Sequence, residues 1–302
     1  MLRKIISRIK TGSLNEGIGK NISNEDYWSR HNVTAHRQFV TRNESLDYLH
    51  WRNSQYLFYE ELMPGRGFDD LIILDYGCGP GDDLVGFVEH SKPRKVTGVD
   101  IAFSSLEESR KRLLLHPADM VDLQLIKEGS SRLNFEDNTF DYIHSSGVLH
   151  HTANIGQILR EFYRILKPSG FIRIMVYNYD SLWLHLYVAY QRCILQQIDA
   201  TVSLSEAFKR STDGPDCPIS ICYKKDDFLE LGARSGLSGK FLGAAISLHE
   251  MSLLPLRYNA IQDIKLDREH RNFLKELTFD AFGRPLRNGQ VAGIDGCYEL
   301  KK

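Results

Sequence analysis

Three groups of residues in this 302-residue chain have the type and spacing to do chemistry. The first is Asp75-Tyr76-Gly77-Cys78-Gly79-Pro80-Gly81, closing an apolar run at residues 71–75. Glycines at these spacings let the backbone turn sharply and let a ligand approach without Cβ obstruction. The second is Asp100, at the end of another strand-like run, residues 95–100. A carboxylate there can accept hydrogen bonds from both hydroxyls of a ribose. The third is the pair His150-His151, shortly after the strand-like run at 140–145. A histidine beside a reacting centre can accept a proton; otherwise the pair shapes its loop.

Elements that must position these groups are legible in the hydrophobic periodicity. Strands are predicted at 71–75, 95–100, 121–127, 140–145 and 171–177, with amphipathic helices at 82–90, 104–116 and 154–166. In the last helix Ile155, Ile158, Leu159, Phe162, Ile165 and Leu166 share one face, and Lys167-Pro168-Ser169-Gly170 stops it. Alternation of this kind implies right-handed βαβ units and an α/β fold. The expected architecture is a Rossmann-like, doubly wound, mostly parallel seven-stranded sheet. Residues 1–70 form an N-terminal helical lid segment, with a helical stretch from Glu44 to Leu62. Residues 71–178 form the core. A cap insertion at 179–225 interrupts the pattern, 226–248 resumes the core with a helix and a strand, and 249–302 is a C-terminal extension. Lid, insertion and extension are expected to converge as a helical cap over the carboxyl edge of the sheet.

Composition narrows the partners. With 38 basic and 39 acidic side chains the net charge is −1, so no nucleic-acid partner is expected. The five cysteines, at 78, 193, 217, 222 and 297, form no C-x-x-C pair, and no histidine cluster lies near them at zinc-ligand spacing. Free thiols, a cytoplasmic location and no metal are expected. The apolar run 182–195 carries His185, Gln191 and Arg192 and is shorter than the ~20 residues of a membrane span. It reads as a cap helix or as the interface of a homodimer, so no integral membrane segment is expected. Leu2, Ile5, Ile6 and Ile9 alternate with Arg3, Lys4, Arg8 and Lys10. That pattern suits a helix packed on the domain, a frayed terminus or a contact with an anionic membrane surface.

The glycine turn discriminates between cofactors. A dinucleotide fingerprint is G-x-G-x-x-G, whereas this turn reads G-x-G-x-G and contains Pro80. Asp75 would repel a pyrophosphate but suits the ammonium and sulfonium charges of S-adenosyl-L-methionine. With these residues in place, the chain resembles the class I S-adenosylmethionine-dependent methyltransferases, in the branch that includes ubiquinone- and menaquinone-biosynthesis methyltransferases. The likeness covers about 71–177. Besides the glycine turn it rests on Leu133-Asn134-Phe135-Glu136-Asp137-Asn138-Thr139-Phe140-Asp141, Ser146-Gly147-Val148-Leu149-His150-His151 and Leu166-Lys167-Pro168-Ser169-Gly170.

The resemblance implies that Gly77, Gly79 and Gly81, with Cys78 and Gly147, meet the methionine part of the donor. It implies that Asp75 supports the amino group, Asp100 holds the ribose and Ile101 packs on adenine. Relatives often carry an aspartate where this chain has Gly129, so adenine is left to backbone groups or to Ser130. Arg52 is expected either to pair with a carboxylate of the donor or acceptor or to be a solvated surface residue. His151 and His150 are the candidates for a base if the acceptor must lose a proton. The expected partner is a small-molecule acceptor, methylated at oxygen, nitrogen or sulfur, with the pocket sought among Tyr177, Tyr179, Asp213, Tyr223, His249, Glu250, Arg268, Arg271 and Asp295. A protein or RNA methyltransferase and a non-catalytic donor-binding module are the alternatives.

Overall fold

A computed structural model describes residues 22–130 and 132–302; the basic amphipathic stretch at 2–10 lies outside them. The strand-like runs of the core become strands β2 Ile72–Tyr76, β3 Lys95–Asp100, β4 Val121–Leu125, β5 Phe140–Ser146 and β6 Leu166–Tyr177. All of these pair in parallel, β2 lying between β3 and β5. Helices α4 Asp82–His90, α5 Phe103–Leu113 and α6 Ile155–Ile165 cross between them. Burial explains the α6 pattern: Leu159, Phe162 and Ile165 are fully covered, each contributing about 2 kcal/mol through removal from water. Asn154 caps α6 by accepting from the Gln157 N–H, which satisfies one of the helix's free donors.

The complete sheet has the order β1-β7-β11-β6-β5-β2-β3-β4, which corrects the expected seven strands to eight. The extra member, β1 Tyr56–Leu57, pairs with β7 Ser238–Ser247 and is too short to carry a periodic signal. It also divides the helix expected across 44–62 into α2 Arg42–Ser54 and α3 Tyr59–Leu62. A second correction concerns the chain's last described strand. β11 Asp295–Lys301 does not extend past the sheet but inserts antiparallel between β6 and β7. The core therefore closes with residues expected in the C-terminal extension.

The cap forms as two packed groups. A π-wound helix, Trp183–Leu195, occupies the apolar run and packs with helices α9 Leu248–Leu253, α10 Arg257–Gln262 and α11 Arg268–Lys275. Its other side meets Ala207 and Phe208 of α7 Leu204–Thr212, together with Tyr56 and Tyr177. Helix α8 Lys225–Arg234 packs through Phe228 against Tyr298 of β11. The short strands β8 Thr278–Phe279, β9 Pro285–Arg287 and β10 Gln290–Val291 form a separate antiparallel sheet. No helix among the described residues is long and apolar enough to cross a membrane.

Candidate active site

Strand register places one row of side chains along the carboxyl edge of the sheet. Asp75 of β2 stands beside His144 of β5, which stands beside Arg173 of β6. Two residues further on, Ser146 and Met175 follow. Alternation puts Tyr177 on the same face as Met175, and Tyr177 pairs across to Asp295. The line thus runs from Asp75 to Asp295 across three strand spacings and four residues along β6, about 20 Å in all.

At the first end, the N–H groups of Gly77 and Cys78 both donate to the Val99 carbonyl, at 2.8 and 3.0 Å, fixing the turn to β3. Gly77 has φ +78°, and a Cβ there would lie 2.3 Å from a Val148 methyl. Gly79 has φ +52° with nothing within 4 Å of where a Cβ would sit, so this peptide borders open space. Gly81 precedes α4 in the left-handed conformation. The Cys78 side chain faces the core, with its sulfur against Gly98, so only its backbone borders the open side. Asp100 Oδ2 accepts from Gly79 N–H and Oδ1 from Ala102 N–H, each at 2.8 Å. The carboxylate expected at the ribose therefore also ties the glycine turn in place.

Asp75 is 2% exposed, and its Oδ2 has no hydrogen-bond partner among the described residues. Burial pushes its pKa up to about 7, against the opposing pull of His144. A buried acceptor without a donor is costly, and this one stands at the end of β2, where the chain enters the glycine turn. The other expected donor contacts are dispersed. Ile101 is half-buried, and Gly147 has φ +76° with its N–H on the Met175 carbonyl. Ser130 is exposed, and its hydroxyl donates to the Arg132 carbonyl.

Arg52 is neither a solvated surface arginine nor an unpaired ligand anchor. Its guanidinium donates to Asp83 Oδ1 at 2.6 Å and to the Tyr59 hydroxyl at 3.0 Å. The Tyr59 hydroxyl in turn lies 2.7 Å from Ser146 Oγ. Asp83 Oδ2 lies 3.3 Å from His144 Nε2. Although burial works in the other direction, Arg52 and His144 hold the Asp83 carboxyl far below the usual range. Arg52 thus fastens α2 and α3 to α4 and β5 between the two ends of the edge. The sequence singled out Arg52 by residue type, but neither of the roles expected for it is the pairing found here, and its partner lies 31 residues away.

The two histidines differ. His151 Nδ1 is 2.7 Å from the Ile219 carbonyl, and Nε2 is 3.6 Å from Asp213 Oδ1, so both nitrogens face protein groups. Burial lowers its pKa, with Asp213 opposing. His150 is fully buried, with no partner on either nitrogen, and its ring stacks on Tyr177 at 3.8 Å. Burial followed by repulsion from His151 drives its pKa well down, so the imidazole is neutral.

Asp213 accepts from Tyr177 at 2.9 Å, from Thr212 at 2.6 Å and from Ser220 at 2.8 Å. Folding also brings Cys217 close, so that donor atoms of His151, Asp213 and Cys217 lie within 4.8 Å of one another, a grouping the cysteine spacing did not reveal. With the carboxylate held by three hydroxyls and the thiol pushed up to about 12 by burial and Asp213, these groups satisfy one another as a hydrogen-bonded wall.

Over this wall lies α1 Asn24–Trp28. Its first N–H groups donate to Glu128, beyond β4, at 3.2 and 3.1 Å. The Tyr27 hydroxyl donates to the Asp213 carbonyl, and Trp28 packs on His151 at 4.6 Å. Of the other residues expected at the acceptor pocket, Glu250 is committed to the capping box of α9 and to the N–H of Trp183. Tyr179 donates to Glu269, Tyr223 packs in the core beside Phe228, and His249 and Arg268 are exposed. Arg271 is half-buried on α11, away from the edge. Asp295 is 4% exposed and has no hydrogen-bond or ion-pair partner among the described residues.

Residues 74–174 match a protein-family model described as a methyltransferase domain. Over 100 residues the chain is 40% identical to a demethylmenaquinone methyltransferase of Symbiobacterium thermophilum, covering 32% of this chain and 39% of that protein. Over 126 residues it is 31% identical to the demethylmenaquinone methyltransferase of Listeria welshimeri, covering 41% and 52%. The chain thus spans about half or less of the length of these relatives. Among solved structures, an S-adenosylmethionine-dependent methyltransferase from Thermotoga maritima superposes with a TM-score of 0.52 at 14% identity, covering 93% of this chain and all of that one. Another, from Mesorhizobium loti, gives 0.50 at 15%, covering 81% and 97%. At these identities the likeness is one of fold.

Proposed function

The chain contains a methyltransferase domain of the class I S-adenosylmethionine-dependent family, and on that premise we propose that it transfers a methyl group from S-adenosyl-L-methionine to a small-molecule acceptor. The observation that carries this reading is the buried oxygen of Asp75, unpartnered among the described residues, at the strand end that leads into the glycine turn with the open position at Gly79. S-adenosylmethionine supplies a methyl group already activated on a cationic sulfur. The chain's own tasks are then alignment and exclusion of water. Asp75 would compensate the positive charge, Asp100 would receive the ribose while holding the turn, and the backbone of Gly77, Cys78, Gly79, Gly81 and Gly147 would line the methionine part. Ile101 and Ser130 remain the proposed adenine neighbours.

Arg52 is proposed to act through Asp83 and Tyr59 as a positioning residue rather than by touching a ligand. His150, neutral and without protein partners, is proposed to face the acceptor, with His151 as a fixed wall. A small acceptor is favoured by the cover that α1 and the cap helices provide, and by the names of the relatives. Calorimetry with S-adenosylmethionine and S-adenosylhomocysteine, followed by incubation of methyl-labelled donor with a pooled metabolite extract, tests the proposal. Label in a small molecule supports it. Preference for NAD over the donor, or label confined to protein or RNA, refutes it.

A further inference from the structure

Asp295 is the buried acid that the donor site leaves unexplained. It lies on the same face as Cys297, which packs with Tyr59, Met63 and Met175, so strand alternation turns its side chain toward the layer that holds Arg52. Register sets it opposite Tyr177 at the acceptor end of the edge. Its electrostatic neighbours are Glu250, which is a carboxyl group, and Arg52, which is already paired with Asp83. On its other side stands Tyr56, whose hydroxyl is held protonated by burial and then by Asp295 itself. A lone buried carboxylate in such a setting is costly unless a positive group meets it.

A second observation is independent of Asp295. His150, stacked on the same Tyr177, presents two buried ring nitrogens with no hydrogen-bond partner among the described residues. Together with Asp295 it marks one place where a bound molecule would complete the hydrogen bonding. Asp213 and Glu250 add acidic groups to the surroundings of Tyr56, and Arg52, the guanidinium found there among the described residues, is engaged with Asp83, so the place favours a positive ligand. Tyrosine rings flank it, as suits a cation.

We infer that the acceptor is an amine whose nitrogen docks on Asp295 between Tyr56 and Tyr177. This deepens the methyltransferase reading and rests on it. The amine arrives as an ammonium and passes one proton to the Asp295 carboxylate. The freed nitrogen lone pair forms the N–C bond as the C–S bond breaks, whose electron pair stays on sulfur as a neutral thioether. The product leaves as a methylated ammonium, and Asp295 releases the transferred proton to solvent. Burial, with Glu250 beside it, pushes the Asp295 pKa to about 8, so the carboxyl group can hold this proton near neutral pH.

The test uses the full chain with methyl-labelled donor and three primary amines, ethanolamine, tyramine and agmatine, each set against the alcohol that replaces its amine. Label on nitrogen of at least one amine and on none of the alcohols is expected. Asp295→Asn should raise KM for that amine about thirtyfold or more, leaving the Kd for S-adenosylhomocysteine unchanged within twofold. Asp295→Glu should restore part of the loss. Calorimetry of tyramine on the S-adenosylhomocysteine complex adds a readout independent of turnover, and binding should weaken in Asp295→Asn. Label only on alcohols, label on no amine while the donor binds, or amine transfer indifferent to Asp295→Asn each overturns the inference. Failure to bind S-adenosylmethionine or S-adenosylhomocysteine instead removes the methyltransferase reading beneath it.

Discussion

The protonation of Asp75 should govern how tightly the donor binds. In the ligand-free protein burial favours the neutral carboxyl group and raises its pKa to about 7. A cationic donor favours the carboxylate, so binding expels the proton and affinity must rise with pH. With the apparent Kd proportional to one plus the ratio of protonated to ionised Asp75, Kd should fall roughly sixteenfold between pH 5.5 and 7. Over that interval an ordinary α-amino group, with a pKa of about 8, keeps its charge, so the slope belongs to the protein. Asp75→Asn removes the charge. Across about 5 Å at an effective dielectric of about 20 this costs about 3 kcal/mol, or roughly a hundredfold in Kd at neutral pH. The variant should also lose the pH slope. Isothermal titration calorimetry in buffers of differing ionisation enthalpy measures both the affinity and the released proton. A Kd that is flat from pH 5.5 to 7, or a slope that survives in Asp75→Asn, would refute the role given to this residue.

Other perturbations separate the parts of the site. Gly77→Ala drives a Cβ to 2.3 Å from Val148 in a left-handed backbone; a loss of about 2–3 kcal/mol by chemical denaturation is expected. Gly79→Ala meets no atom, so it should cost only about 1 kcal/mol of stability through backbone strain while weakening donor binding measurably; equal effects of the two substitutions would contradict the geometry. Arg52→Ala leaves Asp83 short of its main partner and should destabilise by about 3 kcal/mol, detectable as a lower urea midpoint. His150→Asn is expected to lower kcat about tenfold or more with an unchanged donor Kd, and a loss confined to donor affinity would count against its place at the acceptor. Asp295 and Glu250 have folded pKa values raised to about 8 and about 7, above their unfolded values. Their favourable contribution is thus full below pH ~4 and is lost as pH rises through 7 to 8. In the ligand-free protein Asp295→Asn should therefore raise the melting temperature at pH 8 more than at pH 5, and the reverse order would sink this assignment.

The elements of the proposed donor end were legible because their signals are local. Asp75, the glycine turn and Asp100 close two strands of the predicted parallel core, and a strand end followed by a glycine turn is readable within a dozen residues. The acceptor end was not, because its contacts span the chain. Tyr177 reaches Asp213 across the insertion, and His151 meets Ile219 in the same way. Arg52 drew notice by residue type, yet only folding supplied Asp83. The position of β11 escaped for another reason: alternation marks a strand, but nothing in 293–301 states which neighbours it will separate. Similarly, two residues of β1 are too few to show a period, and the helical reading of 44–62 ran through them.

The short helix α1 has a consequence of its own. One end is fastened to Glu128 on the donor flank, and the other to Asp213 and His151 on the acceptor flank. Whatever loosens either end frees both, so the two reactants cannot load and leave as strangers. On the proposed function, release of the spent donor is then expected to be coupled to the unlatching of these five residues.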